Sequence, residues 1–442
     1  MNQSAPHWIC GAAEADITPE GSVFLFGYPH VPRMSTGVHD PLLSSAIYCS
    51  DGQAGVMLIA NDIIWVPRSV SLRARQRISE STGIPVSNIM VTASHTHSGP
   101  VATQMLSHSA DTVVPPPDPQ YLQHLEDRIV EAGIAAFRNA RPATLGMAIA
   151  DATGLGTNRH DPAGPANPKL PVLVARDAAK GDLIAIMCVC SMHPTVLHED
   201  WLLISGDFPG LARRELRQRG FGCPFVYHMG AAGDQSPRHV VRGNTIAEAV
   251  RLGTLLADRI TGALDAAAPV EPIRIDCRSA KVELPVREIP SLQEALELEA
   301  AARRTWESLK ASGASPADIR TAECAVFGAE ETVTLARAAG EGLLQQTAAE
   351  CMPAEVQALT IGDHTWVGWP GEVFVAFALE VMASHPNASV ITLANGELQG
   401  YLVTQAAIDT HTYEAGNALF RSPDGGQLLV QTTRQLLSQR PT

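Results

Sequence analysis

The chain has 442 residues, of which 45% are hydrophobic and 18% charged, and a formal net charge of −14. That length and composition exclude a disordered polymer and leave room for one large domain or two ordinary ones. The acidic balance excludes a basic nucleic-acid footprint and any general attraction to an anionic membrane surface.

Residues 1–10 carry neither a basic n-region nor an apolar h-region, so no export leader is expected. No apolar run has the length of a membrane-spanning helix. The β-branched runs at 55–64, 183–190, 224–227, 356–361, 365–369 and 389–394 predict strands. Apolar residues spaced i+3 and i+4 predict helices over 120–138 and 245–266, with Pro115-Pro116-Pro117 marking a loop before the first. Residues 290–350 are rich in Ala, Glu, Leu and Arg and broken near Ser312–Pro316, which predicts a helical hairpin set on the sheet core. Strands and helices do not alternate strictly. The expected fold class is therefore α/β with a mixed-sheet core, a site at strand ends, and one unit over 1–442 carrying the helical insertion at about 290–350. The eight cysteines (10, 49, 188, 190, 223, 277, 324, 351) form no C-x-x-C pair, so reduced thiols in a cytoplasmic protein are expected.

Chemistry concentrates where the predicted strands end. Val91-Thr92-Ala93-Ser94-His95-Thr96-His97-Ser98-Gly99-Pro100 places two histidines two apart. On an extended segment they share a face, and neutral imidazole is a common zinc ligand; alone, His-x-His fits a surface loop as well. Cys190-Ser191-Met192-His193 follows the 183–190 run, and strand carboxyl ends are where open α/β sheets gather ligands. Gly230-Ala231-Ala232-Gly233-Asp234-Gln235-Ser236-Pro237 lets backbone approach a ligand closely, although a self-bonded turn explains it equally well in isolation. Its serine lacks the G-x-S-x-G elbow of α/β-hydrolases. Gly368-Trp369-Pro370-Gly371-Glu372 sets a carboxylate after a strand and turn, and Tyr401 and Tyr413 follow; taken singly, each tyrosine reads as a packing residue.

In this order the segments resemble the neutral ceramidase family, zinc-dependent amidases that cleave the N-acyl bond of ceramide. The residues that carry the resemblance are Gly11-Ala12-Ala13-Glu14-Ala15-Asp16-Ile17-Thr18-Pro19, Gly27-Tyr28, Ala93–Pro100, Asn158-Arg159 and His193. They continue through Ile204-Ser205-Gly206-Asp207, Gly233–Pro237, Pro370-Gly371-Glu372, Tyr401 and Tyr413, so nearly the whole chain is covered. The resemblance implies Zn2+ held by His95, His193, Glu372 and Tyr401, with His97, Arg159, Ser236 and Tyr413 as the other catalytic residues. It further implies attack on an amide by zinc-activated water, with the leaving amine protonated by His97 and the oxyanion met by Tyr413 together with His97 or Arg159. Ser236 is then a nucleophile or a hydrogen-bond donor, the donor role being favoured because zinc already supplies a nucleophile. Asp234 and Asp207 would orient ligands.

The chain departs from the family pattern at Pro194–Trp201 and at Arg238, around the mouth of the site, and is read as a short member without leader or C-terminal immunoglobulin-like domain. The expected substrate is accordingly a small or amphipathic N-acyl compound other than bulk ceramide. A zinc esterase or lactonase using the same residues, or a non-catalytic metal-binding protein, is the alternative. Nothing in the sequence points to an oligomeric state.

Overall fold

Residues 55–61 read Gly-Val-Met-Leu-Ile-Ala-Asn, apolar without alternation, as a strand buried on both faces should. A computed structural model describes residues 8–439, apart from the side chains of 316 and 317, and shows both faces covered. Met57 and Ile59 join a core with Val70, Ala74, Ile78, Leu125 and Ile129 from helices Arg68–Thr82 and Pro119–Arg138. Val56, Leu58 and Ala60 face the other way, packing with Leu359, Trp366 and Ile391 of a second sheet.

The strand belongs to a nine-stranded mixed sheet. From one edge to the other its main path runs Phe225–Met229, Leu183–Cys190, Lys169–Asp177, Arg141–Asp151, Trp8–Asp16, Leu43–Ser50, Gly55–Asn61, Ile89–Ala93. The outermost pair at each edge is parallel and the pairs between are antiparallel. Helices Asp207–Gln218 and Ile246–Leu264 cover the half that contains Leu183–Cys190. The smaller sheet, Ile275–Val282, Ala354–Ile361, His364–Gly368 and Ala388–Ile391, lies against the large one and is covered in turn by Val375–Ser384 and Asp424–Ser438.

The large sheet curls until its edges meet. Thr92 Oγ1, on one edge strand, lies 2.8 Å from His228 Nδ1 on the other. The segment after Ala388–Ile391 closes the seam: Thr392 N donates to Met229 O at 2.9 Å, Asn395 N donates to Val91 O at 2.7 Å, and Val91 N donates to Asn395 Oδ1 at 3.0 Å. Strand ends far apart in sheet order thereby become neighbours.

The expected helical stretch forms with one correction. A Ser291–Glu294 capping box starts Leu292–Ser312, and Gly313, at φ 68°, ends it. Ser315 caps the Pro316–Gly340 helix. The hairpin continues into a third helix, Leu343–Cys351, because Gly342 turns the chain at φ 78°.

A candidate metal centre at the closed seam

Three imidazoles converge where these strands end. His95 and His97 follow Ile89–Ala93, His193 follows Leu183–Cys190, and their ligand atoms all lie within 4.8 Å of one another. The argument from an extended segment needs correcting: His95 has a left-handed backbone, φ 72°. The two rings meet nonetheless, with centroids 4.9 Å apart, because each is held separately.

Each ring is fastened through Nδ1 to a backbone carbonyl. His95 Nδ1 reaches Ile64 O at 2.9 Å, His97 Nδ1 reaches Gly27 O at 3.0 Å, and His193 Nδ1 reaches Ala232 O at 2.6 Å and Gln235 O at 3.0 Å. A carbonyl only accepts, so each Nδ1 bears the proton and each Nε2 offers its lone pair to the space between the rings. Nε2 of His95 and of His97 is buried with no hydrogen-bond partner. Burial pushes His193 down to about 4 and His97 well below its usual range, so both are neutral at pH 7.

Glu372 Oε2 stands 3.1 Å from His193 Nε2 and 3.2 Å from His95 Nε2. Burial alone would raise this carboxyl, but the two imidazoles outweigh it and hold it well below the carboxylate range. Imidazole lone pairs pointed at a carboxylate oxygen repel it unless a cation lies among them. The orphaned nitrogens and the nitrogen–oxygen donor set therefore fit a metal ion such as zinc. Two glycines permit the geometry. A Cβ on Gly27 would fall 2.5 Å from His97 Cγ, and one on Gly371, at φ 72° beside Glu372, would fall 2.7 Å from Leu398 Cβ.

The remaining expected residues gather around these groups. Short strand pairing sets Glu372 beside Tyr401 and Gln235-Ser236 beside Thr157-Asn158. Partly buried Arg159 pairs with Glu414, and its guanidinium carbon lies 5.5 Å from the Tyr401 ring centroid. The Tyr401 and Tyr413 centroids are 6.1 Å apart, and burial pushes both phenols well up, so both keep their protons. Ser236 is buried, and its Oγ accepts from Arg238 N at 3.2 Å. Asp234 accepts from Asn158 Nδ2 and Val375 N, each at 2.9 Å, so it joins the Arg159 strand to the segment carrying Glu372. Asp207 accepts from Leu197 N at 2.9 Å, steadying the turn after His193.

Further residues emerge only from the fold. Glu331, buried in the Pro316–Gly340 helix, receives Tyr413 OH at 3.3 Å and Asn417 Nδ2 at 2.5 Å, with His108 Nε2 at 3.0 Å. Burial would lower His108, but the Glu331 carboxylate outweighs it and raises its pKa. Glu414 also holds His160 at 3.1 Å. Arg33 donates to His97 O at 2.8 Å and Trp201 O at 3.0 Å, fastening the His-Thr-His segment to the 198–201 turn.

Residues 8–222 match the family model for the N-terminal part of neutral/alkaline non-lysosomal ceramidases. Through this stretch, just under half of the chain, the sequence resembles the neutral ceramidase family. It is 26% identical to the neutral ceramidase of Mycobacterium tuberculosis (strain ATCC 25618 / H37Rv) over 223 residues, 46% of this chain and 34% of that protein. The match thus spans about a third of the curated relative. The crystal structure of neutral ceramidase from Pseudomonas aeruginosa superposes with a TM-score of 0.75 at 19% identity, covering 99% of this chain and 76% of that one. A ceramidase complexed with C2 gives 0.74 at 17% identity, with the same coverage. These likenesses extend the ceramidase fold beyond the matched family segment, through the strands that carry Glu372 and Tyr401. No helix among the described residues is long and apolar enough to cross a membrane.

Proposed function

We propose that the chain is a zinc-dependent hydrolase that cleaves the N-acyl amide of a small or amphipathic substrate. The observation that carries this reading is the set of three Nδ1-anchored imidazoles turned toward one another, with Glu372 Oε2 between two of them. His95, His193 and Glu372 would hold the ion, with Tyr401 beside them as the fourth ligand. When bound, zinc polarises a carbonyl and acidifies a water at neutral pH.

The chain's own residues supply the rest. His97 is the least buried imidazole of the three, and its Nε2 lone pair can take a proton from the attacking water and then pass it to the departing amine. Tyr413 is protonated, and by turning its hydroxyl from Glu331 it can donate to the carbonyl oxygen as negative charge develops there, with Arg159 adding positive charge. Ser236 acts as a donor that positions the substrate carbonyl and is not acylated. The Pro194–Trp201 turn and Arg238 shape an entrance suited to an acylated amine other than bulk ceramide. The catalytic unit spans the chain, including the helical insertion, whose Glu331 supports Tyr413. The eight free cysteines, with Cys10 and Cys49 sulfurs 3.5 Å apart and unlinked, support a reducing cytoplasmic location.

The test is metal analysis of the purified full chain alongside hydrolysis of chromogenic N-acyl anilides and matched esters. About one zinc per chain is expected, with loss of metal and activity in His95→Ala and His193→Ala. Full metal content and full activity in both variants would overturn the assignment. Ester turnover with inert anilides would overturn the amide specificity, and an acyl-enzyme trapped on Ser236 would overturn its donor role.

A further inference from the structure

A cavity lies within the helical stretch and shares no residue with the histidine centre. It is a cleft of about 650 Å3 between helices Leu292–Ser312 and Pro316–Gly340 and the 403–422 segment. That volume is in the range of small-molecule sites, roughly 300–1,000 Å3. Its walls are largely apolar, with Leu298, Ala302, Ala325, Ala329, Val403 and Ile408 among them.

Against these walls stands Arg287. Its Nη1 donates to Ala415 O, while its Nε is buried with no hydrogen-bond partner. Among the described residues no carboxylate forms an ion pair with it. Glu288, the acid that also lines the cleft, is exposed and makes no such pair. Burial lowers Arg287 to about 10, which still leaves it charged at pH 7. A second cation, Arg421, sits half-exposed at the rim and is paired with Asp424. A partly buried cation without an ion pair is costly unless something anionic meets it. Fixed guanidinium donors favour a carboxylate, and apolar walls favour an alkyl chain.

We infer that this cleft binds a long-chain monocarboxylate, the carboxylate on Arg287 and the chain laid along the Ala/Leu/Ile wall. Binding is independent of the hydrolytic reading, which concerns other residues; that reading only adds a source, since N-acyl cleavage releases such an acid.

Calorimetric titration of the full chain with dodecanoate, below its micellar concentration, tests the site. We expect one saturable site of micromolar affinity, unchanged after treatment with chelator. The neutral-headed dodecanol, which has no bond to hydrolyse, is expected to bind at least about tenfold more weakly, the worth of a charge-assisted contact. Arg287→Gln should lose a similar factor, and Ala325→Phe, which fills the cleft, should abolish binding. If Arg287→Gln fails to fold, the comparison of head groups on the wild-type chain and the Ala325→Phe variant decide the matter. Equal binding of alcohol and acid, unchanged binding in Ala325→Phe, or no binding at all would overturn the inference. Binding lost on chelation would place the ligand at the histidine centre and overturn it too. None of these results depends on whether the chain hydrolyses amides.

Discussion

Gly27→Ala asks what His97 does without touching His97. The glycine sits at φ 128°, a conformation that L side chains rarely adopt, and its carbonyl accepts the His97 Nδ1 proton at 3.0 Å. A methyl there would fall 2.5 Å from His97 Cγ and 2.8 Å from its Cβ. Ordinary contact begins near 3.4 Å, so the ring must retreat by roughly 1 Å, losing its carbonyl anchor as it goes. A displacement of that size at a reacting group costs about a hundredfold in rate. The backbone strain adds about 1–3 kcal/mol of destabilisation. The assay is kcat/KM on an anilide hydrolysed by the wild type, paired with zinc content and a urea melt. With His97 facing substrate, kcat/KM should fall about a hundredfold while zinc stays near one per chain, held by His95, His193 and Glu372. Loss of zinc together with activity would make His97 a ligand and refute its proposed role as proton donor. Unchanged kinetics would refute any catalytic role for it.

Three further outcomes are expected. His228 is buried and its pKa is lowered to about 3 by burial, so between pH 6.5 and 3 the unfolded chain binds the extra proton and stability falls as pH falls. At pH 5 this amounts to about 2 kcal/mol, at about 1.4 kcal/mol per pKa unit. His228→Gln should lose about that much less on going from pH 7 to 5 in chemical denaturation; parallel curves for variant and wild type would refute the reading. Glu331→Gln leaves His108 without its anion and weakens the hold on Tyr413 OH, so stability should drop by about 3 kcal/mol and kcat should fall more than KM changes. An unaltered kcat would show that Tyr413 does not need this support. Removing metal with chelator should lower the melting temperature, since an ion at a hundred times its Kd stabilises by about 2.7 kcal/mol. An identical melt would argue against an ion among the imidazoles.

The candidate site was legible in the sequence where its chemistry is local. His-Thr-His, Gly-Asp-Gln-Ser and Pro-Gly-Glu are short segments in which glycines and prolines announce turns at strand ends, and the fold brings all three together. The inference of a shared extended face gave a convergence that exists for another reason: separate carbonyl anchors on Ile64 and Gly27 aim the two rings. Glu331 was not legible. It sits in a helix full of Ala and Glu, where Glu323 and Glu330 pair with arginines near the surface and Glu331 is buried. Helical periodicity does not tell one such glutamate from the next, because the distinction comes from what packs over the helix. The break at Gly342 did leave a signal, Gly340-Glu341-Gly342, that the apolar pattern on either side concealed.

The property hardest to read from sequence is the one that makes the centre possible. His95 leaves one edge of the large sheet and His193 leaves the strand next to the other edge, so in a flat sheet they would stand several strand spacings of about 4.8 Å apart. Curling alone brings the edges near one another without fixing their register. The register is fixed by residues from neither histidine segment. Asn395, left-handed at φ 61°, exchanges two hydrogen bonds with Val91, and Thr392 ties Met229 and Gly230 through its backbone and its hydroxyl. Those contacts come from the smaller sheet, which also delivers Glu372 through Trp369-Pro370-Gly371. The element that supplies the carboxylate thus also sets the spacing of the imidazoles that face it, so the cluster assembles only when the two sheets have docked.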